Sequence, residues 1–171
     1  MSASPDRKSE DLSALAHKAA TAVIFLPERD IQGAELLTPI FQGWPCFHDA
    51  EILRLTLQRE PRMAFMECVV HVFNRGHDEE ARSPSLPPEH TLVTIRFEDI
   101  DLEQLKDFNQ QNVIDDLRIE VSSENKRCFT VDVPANNGCD MTFSCEAIRI
   151  VSVQPYTIDQ RIRDGSVYVK G

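Results

Sequence analysis

The sequence predicts an α+β fold: a predominantly antiparallel, curved sheet of about six strands in a meander, with an N-terminal amphipathic helix. Closure into part of a barrel is the alternative. Three observations predict it. Most of the chain after residue 50 alternates apolar and polar residues with the period of a strand. One run near the N-terminus has the helical period instead. Short turn signals separate the alternating runs, so successive strands lie beside one another.

Residues 1–8 form a polar tail, and residues 9–171 are expected to form one domain. From Ser9, Leu12, Leu15, Ala16, Ala19 and Val23 recur at three- and four-residue spacing, giving a helix with an acidic first turn; His17 falls on its polar side. "PERDIQGAELLTPIF" follows as an irregular segment with one short helical turn before Pro39.

In "EILRLTLQR" the residues Leu53, Leu55 and Leu57 share one face, and Arg54, Thr56 and Gln58 the other. The turn "REPR" joins it to "MAFMECVVHVF", whose apolar face is Met66, Cys68, Val70 and Val72, making a hairpin. Residues 76–89 lack periodicity, are charged and Pro-rich, and are expected to be mobile. Alternation resumes with Val93, Ile95 and Phe97 inward. "DLEQLKDF" is expected to make a turn or two of helix capped by Asp101.

Further strands carry Leu117, Ile119 and Val121, then Phe129, Val131 and Val133. "NNG" at Asn136–Gly138 turns the chain into "CDMTFSCEAIRIVSV". There Met141, Phe143 and Cys145 hold one phase and Ile148 and Ile150 the other, so a bulge or sharp bend is expected near Glu146. The tail with Tyr156, Ile158, Ile162 and Tyr168 carries no clear pattern.

Composition excludes several function classes. No apolar run approaches the roughly 18 residues of a membrane helix. "MSASPDRKSED" lacks the apolar stretch of a secretory signal, so a cytoplasmic location is expected. The five cysteines, Cys46, Cys68, Cys128, Cys139 and Cys145, are scattered and contain no CxxC, so reduced, mostly buried thiols are expected. A formal charge of −10 disfavours nucleic-acid binding and suits a basic protein partner. No nucleophile elbow, HExxH, P-loop or GxGxxG is present, so no catalytic residue and no cofactor is assigned.

The densest chemistry lies in "FQGWPCFHDAEI", which holds the only tryptophan, Trp44, with Pro45, Phe47, His48, Asp49 and Glu51. With a strand period of two, Asp49 and Glu51 continue the leucine face. A carboxylate at a buried margin needs a partner. The two acids are therefore expected to cap the loop that starts the sheet, accepting its N–H groups and that of the indole. The alternative is a metal site or acid–base pair using His48, Asp49 and Glu51, with His71 as a further contributor. A three-residue hairpin loop, Glu60 to Arg62, would set Glu51 opposite His71 but would pair Leu55 with Glu67 on the core face. The register shifted by one matches the leucines to Met66, Cys68 and Val70, and is the one expected.

The string from Phe41 to Arg59, with its Trp-Pro-x-Phe-His-Asp-Ala-Glu followed by an alternating strand, resembles the immunity protein 50 family of bacterial polymorphic-toxin systems. Cys46 stands where that pattern has a small residue such as Ser. The resemblance implies a non-enzymatic protein that neutralises a cognate toxin domain, a nuclease being one candidate, by direct association. A metal-binding module or metal-dependent enzyme using His48, Asp49 and Glu51, and an interaction scaffold, are the rival readings. A cationic toxin would suit an acidic face, and the candidate is "FEDIDLEQLKDF" with Glu98, Asp99, Asp101, Glu103 and Asp107, followed by Asp115 and Asp116.

Overall fold

The computed structural model describes residues 24–61, 63–73, 89–122 and 129–163. The N-terminal tail and helix to residue 23, residues 76–88 of the charged loop, Cys128 and Tyr168 lie outside them.

Among the described residues the apolar alternation builds ten strands in two sheets. They are β1 (Glu51–Arg59), β2 (Ala64–Phe73), β3 (His90–Glu98), β4 (Asp101–Lys106), β5 (Val113–Ile114), β6 (Arg118–Val121), β7 (Phe129–Val133), β8 (Ala135–Asn137), β9 (Asp140–Cys145) and β10 (Ala147–Pro155). One sheet runs β10-β3-β2-β1-β5-β8 and the other β4-β9-β7-β6, with every strand pair antiparallel. The expected α+β class with a curved antiparallel sheet holds. The barrel alternative does not: the strands divide into two layers instead of closing.

The core lies between the layers. Met66, Cys68, Val70, Val72, Val93, Ile95 and Phe97 face it from the larger sheet, and Val131, Val133, Met141, Phe143 and Cys145 from the smaller. Phe97 and Phe143 meet edge-on across the gap, ring centres 4.8 Å apart. Burying each such ring contributes roughly 2–3 kcal/mol. The buried thiols include Cys68 and Cys139, whose pKa values are raised, the latter to about 11, chiefly because burial disfavours the thiolate.

The phase change predicted near Glu146 is the device that makes two sheets. Glu146 alone separates β9 in the small sheet from β10 in the large one, and its N–H donates to Glu98 C=O (2.9 Å). Alongside, Asp99 and Ile100 carry β3 into β4, with Asp99 in the left-handed region (φ 53°). Two neighbouring chain segments thus turn the same corner together.

Bulges interrupt four of the described strands; one lies at Asn136 in β8, and the other three reset the phase of apolar side chains. One extra residue sits at Leu53 in β1, Glu103 in β4 and Val151 in β10. Each leaves two apolar side chains three positions apart on the inner face: Ile52 and Leu55, Leu102 and Leu105, Ile150 and Val153. The expected leucine face of β1 is corrected accordingly. Ile52 is buried and Leu55 packs on the core, whereas Leu57 is exposed.

The segment before Pro39 holds more helix than expected. It forms α1 (Pro27–Asp30), a 3₁₀ turn (Ala34–Leu36) and α2 (Thr38–Phe41), with Pro39 inside α2. Gln32 lies along the outer edge of β10: its N–H donates to Ile148 C=O (3.0 Å), and Ile150 N–H donates to its C=O (2.8 Å). Beyond β10, Tyr156 is buried and α3 (Ile158–Arg163) follows. Thr157 and Gln160 cap it reciprocally: Thr157 N–H donates to Gln160 Oε1 (2.9 Å), and Gln160 N–H to Thr157 Oγ1 (3.4 Å).

Candidate functional site

The "GWPCFHDAE" corner is built by packing and main-chain hydrogen bonds. Trp44 stacks at a tilt on buried Phe47 (5.3 Å) and meets Phe25 edge-on (6.4 Å), which in turn meets Phe129 of β7 (6.3 Å). This chain of rings seals one end of the core across both sheets. Asp49 turns the chain with φ 64°, a conformation that Asp tolerates better than most residues. Its N–H donates to Ile114 C=O (2.9 Å), and Ile114 N–H donates to Ala50 C=O (2.8 Å). Ile52 N–H donates to Asn112 C=O (2.8 Å), so the buried backbone at the sheet's start is satisfied.

The acids of this motif separate. His48 is exposed, with Nδ1 3.3 Å from Asp49 Oδ2 and Nε2 3.7 Å from Asp115 Oδ1. Glu51 leaves for the outer face of the large sheet, because the Leu53 bulge flips its phase relative to Leu55. Among the described residues its carboxylate has neither a hydrogen-bond nor an ion-pair partner, so the expected capping role of Glu51 is corrected. Burial, uncompensated, holds its pKa above the usual carboxylate range. Among the described residues no group of three His, Cys, Asp or Glu is placed to hold a metal ion.

The discounted register also proves half right. Leu55 pairs with Cys68 and Leu57 with Met66, as the hydrophobic match requires, but beyond the bulge Glu51 does stand opposite His71. Both occupy the outer face. His71 is itself buried among Phe73, His90 and Tyr156, with Nε2 2.9 Å from His90 Nδ1. Burial foremost, and the neighbouring His90 and Arg161 charges next, depress its pKa to about 4.

A cleft of about 600 Å³ opens on this outer face. Glu51, Leu53 and Arg54 of β1 line it with Val69 and Leu92, and the 108–112 loop forms its wall. Buried Asn112 holds that loop in shape, accepting from Asn109 N–H (2.9 Å) and donating to Asn109 C=O (2.7 Å). Phe108 stands at the lip and also ends the stretch that follows β4.

The acidic segment is not the expected helix. Residues 101–106 are β4, an edge strand of the small sheet, and the reason is the Glu103 bulge. It gives Leu102 and Leu105 the three-residue spacing of a helix while both face inward, opposite Phe143 and Met141. At the open margin of the sandwich they stay 37% and 36% exposed, and Phe108 is 46% exposed. These three apolar side chains were missed in the sequence. No local signal marked them: at positions 102, 105 and 108 they read as the apolar stripe of a short helix.

The seven predicted acids fall into two groups. Glu98 pairs with Arg149 (3.3 Å), Asp116 with Arg118 (2.9 Å), and Asp115 lies near His48. The carboxylates of Asp99, Asp101, Glu103 and Asp107 surround β4 without a hydrogen-bond or ion-pair partner among the described residues, although the Asp107 C=O accepts from the Asn109 side chain (3.0 Å). Asp107, like Asp99, adopts a left-handed conformation (φ 55°), so an Asp marks each end of the strand. No helix among the described residues is long and apolar enough to cross a membrane.

No curated protein and no solved structure matches this chain significantly. The sequence profile of the family described as Immunity protein 50 matches residues 33–156, from the turn beside β10 to Tyr156. That span takes in the aromatic corner, both sheets, the cleft and the acidic edge. The chain therefore belongs to the Immunity protein 50 family.

Proposed function

We propose that this protein neutralises a cognate toxin domain by stoichiometric association in the cytoplasm, without catalysis and without a cofactor. Family membership carries the reading. The geometry supports it: the unpaired acids cluster around one exposed edge, as a surface that meets a basic partner requires. A nuclease, whose substrate cleft is basic, is a toxin of suitable chemistry. The acids already paired inside the chain, Glu98, Asp115 and Asp116, form the margin of this surface. Trp44, Pro45, Phe47, His48 and Asp49 serve it indirectly by fixing the corner.

Calorimetric titration with a catalytically inactive form of the toxin domain encoded beside this protein tests the reading. Tight one-to-one binding is expected, and no heat with both partners folded would overturn it. Reversing Asp99, Asp101 and Glu103 to Lys is expected to slow association about tenfold at low salt and to flatten its salt dependence. An unchanged association rate removes these acids from the interface.

A further inference from the structure

We infer that β4 is a docking edge that takes an extended segment of the toxin as an added strand, and that this segment alternates apolar and basic residues. The inference rests on the toxin-binding reading above and specifies how the partner is held.

Three observations carry it. First, β4 pairs only with β9 among the described residues, so its other side presents unpaired backbone donors and acceptors. Proteins normally cover or blunt such an edge, because it is a template for pairing. Second, the strand is exposed on both faces. Of its six residues only Gln104 is even partly buried, and Leu102 and Leu105 stand at the open mouth of the sandwich core. A strand laid against β4 would extend the small sheet and cover both leucines with its own inward side chains. Third, the outward face of β4 carries Asp101 and Glu103, with unpaired Asp99 and Asp107 at its ends and a single cation, Lys106. The outward side chains of the added strand therefore meet negative charge. Strand periodicity turns these two demands into one sequence pattern, apolar and basic in alternation.

The same charges argue against a second copy of this chain. In the register that sets Asp101 of one copy against Glu103 of the other, pairing β4 with β4 would place like charges across the strand pair, which is destabilising. Leaving an edge acidic is a recognised way of blocking self-association while a basic partner is still admitted.

The test uses the full chain and the inactive toxin domain, with amide hydrogen exchange as readout. In the complex, amides of residues 101–106 are expected to exchange at least about tenfold more slowly than in the free protein. The double variant Leu102→Ser/Leu105→Ser is expected to weaken binding about 100-fold and Glu103→Lys about tenfold, both with native circular dichroism. Since both leucines are a third exposed, the double variant should fold; Glu103→Lys, fully at the surface, checks the point independently. Binding with unchanged β4 exchange and wild-type affinity in both variants would overturn the docking edge and leave the immunity reading standing. No binding by the wild-type chain would overturn both. A dimer of this chain with β4 already protected would assign the edge to a second copy and overturn the inference.

Discussion

Gly138 sits where the β8–β9 turn presses on the loop that walls the cleft, and Gly138→Ala tests how tightly the two are coupled. Its φ is +84°, and a Cβ built there would lie 2.5 Å from the Gln111 carbonyl oxygen and 2.7 Å from Asn112 Oδ1. The left-handed conformation alone costs an Ala about 1–2 kcal/mol. Gln111 is backbone and cannot swing aside, so the loop must retreat from β1. That strains the Ile52 N–H bond to Asn112 C=O (2.8 Å) and the Asn112 side-chain bonds to Asn109, each worth about 1 kcal/mol net. With all three bonds lost the sum is about 4–5 kcal/mol, which for a chain of this size lowers Tm by roughly 8–20 °C. Urea denaturation measures the stability and amide exchange locates the damage: the Ile52 N–H should lose protection before the amides of β2 and β3. A variant within about 0.5 kcal/mol of wild type, or one that leaves Ile52 protection unchanged, would refute the coupling.

Three further perturbations test the core, the histidine pair and the corner. Phe143→Ala removes a side chain with no exposed surface and its edge contact with Phe97, and should cost about 3–5 kcal/mol in chemical denaturation; a loss under 1 kcal/mol would mean the sheets do not pack there. His71 has a folded pKa of about 4 against 6.5 when unfolded, so below pH 6.5 the unfolded state binds the extra proton. Stability should therefore fall between pH 6.5 and 4, by an amount approaching about 3 kcal/mol, and His71→Gln should flatten this slope; an unaltered pH profile would sink the assignment. Asp49→Ala should lower stability by about 1 kcal/mol through its left-handed backbone while folded protein still binds toxin; Asp49→Gly, which relaxes that backbone, should recover part of the loss, and equal losses in the two would point to the side chain instead.

Much of the fold was legible because burial writes itself on a strand as alternation. Val93, Ile95 and Phe97, or Phe129, Val131 and Val133, need no more than a period of two to be placed inward, and the structure places them there. The opposed phases of Phe143 and Ile150 likewise announced the bend at Glu146. What alternation cannot reveal is an interruption of itself. At Leu53 one inserted residue sent Glu51 to the outer face and made a neat leucine stripe misleading. At Glu103 the same insertion made an edge strand look like a helix, since Leu102 and Leu105 acquired helical spacing.

The sequence by itself determined the class of the fold, the inward residues of the unbulged strands and the acidic balance, all of which depend on residue type and near neighbours. Only the tertiary structure decided that the strands form two sheets, which acids find partners, and that β4 is an edge strand among the described residues. Those outcomes depend on pairing between segments far apart in the chain. Glu98 meets Arg149, and β4 meets β9, only because two corners bring residues roughly 35 to 50 positions apart side by side. Long-range contacts of this kind carry no local periodicity, and so no short stretch of sequence encodes them.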